Sequence, residues 1–168
     1  METTTKKAGP KTVITSDILL DQWQGHRRLT RRTIEAFPED KLFTYSIGGM
    51  RPFAELAMEM LHMSAPGVKG VVTRQWPTWN EVAESMPTPK TKKDLLKLWD
   101  QATEEINTLW PKISEERFQE MDKFFGQWGG PVYWSILYLI DNEIHHRAQG
   151  YVYLRSLGIE PPHFWERG

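Results

Sequence analysis

Cysteine is absent from this 168-residue chain. Disulfides, zinc-thiolate centres and a cysteine nucleophile are thereby excluded, and the composition fits a reducing compartment. Long apolar runs are missing too: nothing approaches the roughly 20 residues of a membrane span, nor a signal-peptide core. The expectation is a cytoplasmic protein without a membrane partner. Neither charge sign is in excess, since 21 Lys and Arg against 22 Asp and Glu leave a formal net charge of -1. No basic surface able to hold a nucleic-acid backbone is implied. The one basic cluster, Arg27, Arg28, Arg31 and Arg32, reads as a solvated helix face. Internal repeats, low-complexity segments and convincing alternating strands are also lacking.

What is present is helical periodicity. The length suits one domain with a real core. Met1 to Thr12, rich in Thr and Lys, reads as a disordered tail, and residues 13–168 as a single domain. Thr15 or Ser16 can cap a helix to about Phe37, with Leu19, Trp23, His26, Thr30, Thr33 and Phe37 turned inward. Pro52 suits the first turn of a second helix to about Met63, ended by Pro66 and Gly67. From Gly67 to Pro89 the prolines and glycines predict a long connection with one short helical turn. Thr91 and Asp94 resemble a capping box for a third helix through Leu109. Ser114 to Gly130 holds one weak helical turn, and Gly129-Gly130-Pro131 opens a fourth helix that ends at Gly158. Four long helices with a lengthy connection between the second and third predict an all-α, four-helix bundle. Trp23, Trp99 and Trp110 fall at core spacing, whereas Trp76, Trp79 and Trp128 lie in loops, where they can line a pocket mouth or a partner surface.

The chemistry concentrates in Asp141-Asn142-Glu143-Ile144-His145-His146-Arg147-Ala148-Gln149-Gly150 of the last helix. A polar cluster of this kind is costly to bury without partners. At about 100° per residue, Ser135, Leu139, Asn142, His146, Gln149 and Tyr153 form one stripe. Tyr133, Ile136, Leu137, Ile140, Ile144, Ala148 and Tyr151 form another, read as plain packing surface. Glu143 and Arg147, four apart, can make a helix ion pair.

The run Asn142 to Gln149, followed by Tyr153-Leu154-Arg155 and Leu157 to Pro162, resembles the closing signature of the DinB-like family, which includes the metal-dependent proteins called YfiT-like. Phe37 to Leu42 and Met50 to Leu56 extend the likeness over nearly the whole chain. The resemblance implies a bundle, a homodimer, and a divalent metal held by three histidines of the second and fourth helices. It also implies a small-molecule substrate, since some members are similar to thiol-dependent S-transferases or hydrolases; a low-molecular-weight thiol would then be the co-substrate. Carried over position by position, the ligands fall on Glu59, Asn142 and His146, with His62 and His145 as weaker candidates. One of the three histidines is retained in place. On the second helix Glu59 flanks the apolar stripe of Phe53, Leu56, Met60 and Met63, whereas His62 points well away. Such a set suits manganese, magnesium or iron better than zinc, and the identity stays open among nickel, zinc, manganese and iron. Two functions follow: a metal-dependent transferase or hydrolase, or a non-catalytic dimeric binding protein whose metal site has decayed into a buried hydrogen-bond network.

Overall fold

A computed structural model describes residues 13–168; the expected tail, Met1 to Thr12, lies outside the described residues. Seven helices and one hairpin follow in chain order. Helix α1 spans Ser16–Ala36, with Thr15 at its N-cap accepting from the Ile18 amide at 3.3 Å. A single turn, α2 (Glu39–Leu42), leads to α3 (Phe53–Thr73). Helix α4 (Trp79–Ser85) and the long α5 (Lys92–Leu109) both start on capping boxes, Thr78 with Glu81 and Thr91 with Asp94. A 3-10 turn, the short α6 (Glu115–Gln119), an antiparallel hairpin of β1 (Met121–Phe124) and β2 (Trp128–Pro131), and α7 (Val132–Ser156) complete the chain.

Each of α1 and α3 packs chiefly against α5 and α7, the arrangement of an all-α four-helix bundle. Of the inward positions expected of α1, Trp23, His26, Thr30, Thr33 and Phe37 are buried and Leu19 is half-buried. Trp23, Trp99 and Trp110 are core residues, Trp23 meeting Trp110 edge-on at 6.0 Å between ring centroids. Phe37 and Phe53 stack 4.7 Å apart, which ties the end of α1 to the start of α3.

Four expectations need correction. Helix α3 does not end at Pro66 and Gly67 but runs through both to Thr73. Its second half buries Ala65, Val68 and Val71, and both glycines are there for close approach. A Cβ on Gly67 would lie 3.1 Å from Leu139, and one on Gly70 would overlap the Trp76 ring at 2.2 Å. Burial here outweighs the loss of one backbone bond at proline. Second, the segment after Ser114 contains a hairpin as well as a helical turn, and the long connection between α3 and α5 carries the two-turn α4. Third, Arg27 is not on a solvated face: it is 1% exposed, whereas Arg28 is exposed. Fourth, only part of the second α7 stripe packs. Ile136 and Ile140 are buried, but Leu137, Ile144 and Ala148 face outward, in line with Trp134, Tyr138 and Val152.

No helix among the described residues is long and apolar enough to cross a membrane.

Candidate functional site

Helices α3 and α7 approach closely because Gly150 has no side chain. A Cβ there would fall 2.4 Å from the Phe53 ring. Four residues before Gly150, on the same face, His146 reaches α3 and places its Nε2 2.9 Å from Glu59 Oε1. Its Nδ1 lies 2.9 Å from Gln149 Oε1. The Asn142 amide donates to the same Glu59 oxygen at 3.2 Å, and the Arg51 guanidinium donates to the other. Three of the expected residues, Glu59, Asn142 and His146, are therefore brought together.

Electrostatics keeps Glu59 ionised. Burial pushes the Glu59 carboxyl up, but donors on both oxygens, from Arg51, His146 and Asn142, outweigh it and hold the group at about 2. Glu59 is thus an anion at neutral pH, and an imidazole nitrogen 2.9 Å from it must present a proton rather than a lone pair. This holds for either orientation of the Gln149 amide: as placed, its Oε1 accepts from Nδ1–H, and with the amide turned its N–H donates to Nδ1.

The remaining candidates lie elsewhere. His62, expected to point well away, lines the same cavity as Glu59. This open cavity of about 420 Å³ is walled by Phe43, Met58, Trp79 and Met86, with Arg51 and Glu55 at polar positions. The His62 ring meets Trp79 edge-on at 5.9 Å, and its Nε2 is buried without a hydrogen-bond partner. Burial lowers its pKa, opposed by Glu59. His145 is exposed and shares only a ring contact with His146. Of the tryptophans expected in loops, Trp79 instead opens α4 and lines this cavity, Trp128 is exposed at the start of β2, and Trp76 packs over Gly70 and donates to Asp122 at 3.2 Å.

Sequence reasoning missed Arg51 and a second polar cluster on the face of α7 that meets α1. Glu143 and Arg147 do not make the expected ion pair. Glu143 turns to α1, accepting from Trp23 Nε1 at 3.1 Å and Thr30 Oγ1 at 2.7 Å, with Arg27 Nη1 at 3.6 Å. Arg147 instead donates to the His26 carbonyl, to Thr30 Oγ1 and to His26 Nδ1. Burial first, then the neighbouring Arg147 and Arg167, lower the His26 pKa to about 4, so its ring is neutral.

The residues around Glu59 do not fit the three-imidazole centre that the sequence resemblance implies. Arg51 puts a fixed cation where a divalent ion would need charge to itself, and Asn142 turns a donor toward Glu59. Among the described residues no three His, Asp or Glu side chains converge as a metal-holding group.

The sequence profile of the DinB family matches residues 1–167, and the chain belongs to that family. The fold is similar to two solved structures. A DinB-like protein from Bacillus subtilis, YjoA, is 18% identical with a TM-score of 0.70, over 87% of this chain and 96% of that one. A DinB-like protein from Bacillus cereus is 16% identical with a TM-score of 0.66, over 88% and 95%. No curated protein matches the chain.

Proposed function

We propose that this chain is a small-molecule-binding protein in which a carboxylate–imidazole pair joined by a proton, Glu59 and His146, stands where the family resemblance implies a metal. One observation carries the reading: both Glu59 oxygens are taken by donors, Arg51 on one and Asn142 with His146 on the other. The ligand enters the cavity of about 420 Å³ bounded by Glu59, His62 and Trp79, where apolar walls and a few convergent polar groups meet.

A second reading, a metal-dependent transferase or hydrolase using a low-molecular-weight thiol or water, has one observation in its favour. A Gln149 oxygen on His146 Nδ1 is the support that orients metal-ligating histidines. It requires Arg51 to leave Glu59. Metal analysis of protein purified without an affinity tag separates the two. The first reading expects no stoichiometric ion; an equivalent of metal that both Glu59→Ala and His146→Ala lose would establish the second.

A homodimer is part of the same proposal. Trp134, Leu137, Tyr138, Ile144 and Val152 leave an exposed apolar stripe along α7, a surface that a second copy can cover symmetrically. Light scattering should give twice the chain mass for the wild type and a shift to monomer for Leu137→Glu. A wild-type monomer at micromolar concentration would count against it.

A further inference from the structure

Two helix faces meet across the cavity of about 420 Å³. On α3, Glu55, Glu59 and His62 follow at steps of four and three, with Met58 among them. On α4, Trp79, Ala83 and the C-cap residue Met86 follow at the same steps. The ring contact of His62 with Trp79, 5.9 Å between centroids, joins the two walls, and Phe43 and Pro89 complete them. The volume falls within the roughly 300–1,000 Å³ of small-molecule sites.

The charges of this lining do not balance. Arg51 donates to one Glu59 oxygen, and Asn142 and His146 occupy the other, so the guanidinium is spent on a carboxylate whose oxygens both have protein partners. Burial lowers the His62 pKa from its ordinary value, which leaves that ring uncharged at neutral pH. Glu55 is exposed to the cavity and makes no salt bridge among the described residues. Its place in the first turn of α3 favours a negative charge there without supplying a counter-ion. The cavity thus presents one unpaired carboxylate beside aromatic and thioether walls.

We propose that the ligand of this cavity is an organic ammonium ion with an apolar or aromatic body, its cationic head held by Glu55. The assignment rests on the reading of the cavity as the ligand site. Phe43, Trp79, Met58 and Met86 receive the body, and aromatic rings and thioethers are neighbours that a cation tolerates. An N–H donor carrying charge binds a carboxylate about twice as strongly as a neutral donor binds a neutral acceptor. An anion, a thiolate included, is repelled by Glu55 and gains Arg51 only by taking it from Glu59. A neutral ligand leaves Glu55 without a counter-ion.

Three probes of similar shape, phenethylamine, phenethyl alcohol and hydrocinnamate, titrated calorimetrically against the full chain at neutral pH and constant ionic strength, test the assignment. The amine should saturate below roughly 10 mM and bind at least about fivefold tighter than the alcohol, with the acid weakest. Glu55→Gln should bring the amine down to the affinity of the alcohol and leave the alcohol unchanged. Ala83→Phe, which fills the cavity from an exposed position on α4, should weaken amine and alcohol alike. Alcohol or acid binding as tightly as the amine, or a preference for the amine that survives Glu55→Gln, would overturn the ammonium assignment and leave the cavity as a ligand site. Unchanged affinities in Ala83→Phe, or no saturation by any of the three probes, would overturn the assignment and the cavity reading together.

Discussion

Glu143→Ala should lower the unfolding free energy by ~3–5 kcal/mol, the range for removing one partner of a buried charge pair. The Arg27 and Glu143 side chains are 0% and 2% exposed. Burial lowers the Arg27 pKa, and Glu143 is the first of the charges that oppose it. Removal of Glu143 leaves the guanidinium in the core with Thr103, the Trp99 carbonyl and the Trp99 ring face, 4.2 Å away, as its remaining partners. It also strands the Trp23 indole N–H, while the Thr30 hydroxyl keeps the His26 carbonyl at 3.1 Å. Urea denaturation gives the number. Replacing both members, Arg27→Met with Glu143→Leu, should cost less than Glu143→Ala alone, because no buried charge is then left unpaired. A loss below ~1 kcal/mol in Glu143→Ala would mean that water reaches Arg27 and that this cluster is no structural centre.

Gly150→Val should be nearly as damaging, at about 3 kcal/mol, toward the upper end of overpacking penalties. The added Cβ would meet the Phe53 ring at 2.4 Å, and Phe53 cannot retreat because it stacks on Phe37. The bundle must open between α3 and α7, and the Glu59 to His146 contact, one helical turn away, lengthens with it. Combining Gly150→Val with Phe53→Ala should cost less than the sum of the two changes, since the cavity left by one accepts the bulk of the other. Strict additivity, read by denaturant titration, would place the strain elsewhere.

Much of this was legible in the chain. The inward face of α1 follows from steps of three and four between Trp23, His26, Thr30, Thr33 and Phe37, and the capping box of Thr91 and Asp94 is a local pattern. Asn142 and His146, four apart, have to share a face, and Glu59 falls at the position that the family resemblance gives the ligand of α3, with the turning angle setting it beside the apolar stripe. The misses have tertiary causes. Pro66 and Gly67 look like a helix end, but Gly67 serves Leu139 on another helix. The hairpin strands are four residues each, without alternation, and turn through Phe125 and Gly126 at positive φ. Arg27 sits in an arginine-rich run that reads as solvated until the distant Glu143 is brought beneath it. Arg51 precedes Pro52 in a loop whose path is set by the Tyr153 hydroxyl, which donates to the Arg51 carbonyl at 2.9 Å. No local pattern carries that information.

A proton, rather than a divalent ion, joins Glu59 to His146 in this reading, and ring-nitrogen NMR of His146 reports on it directly. The resonance is assigned by its loss in His146→Gln, in protein purified without a tag. Nε2 should be protonated at neutral pH, and a strong chelator should leave the resonance unchanged. An unprotonated Nε2 whose signal moves when the chelator strips a bound ion would contradict the proton-joined pair and put a metal at Glu59.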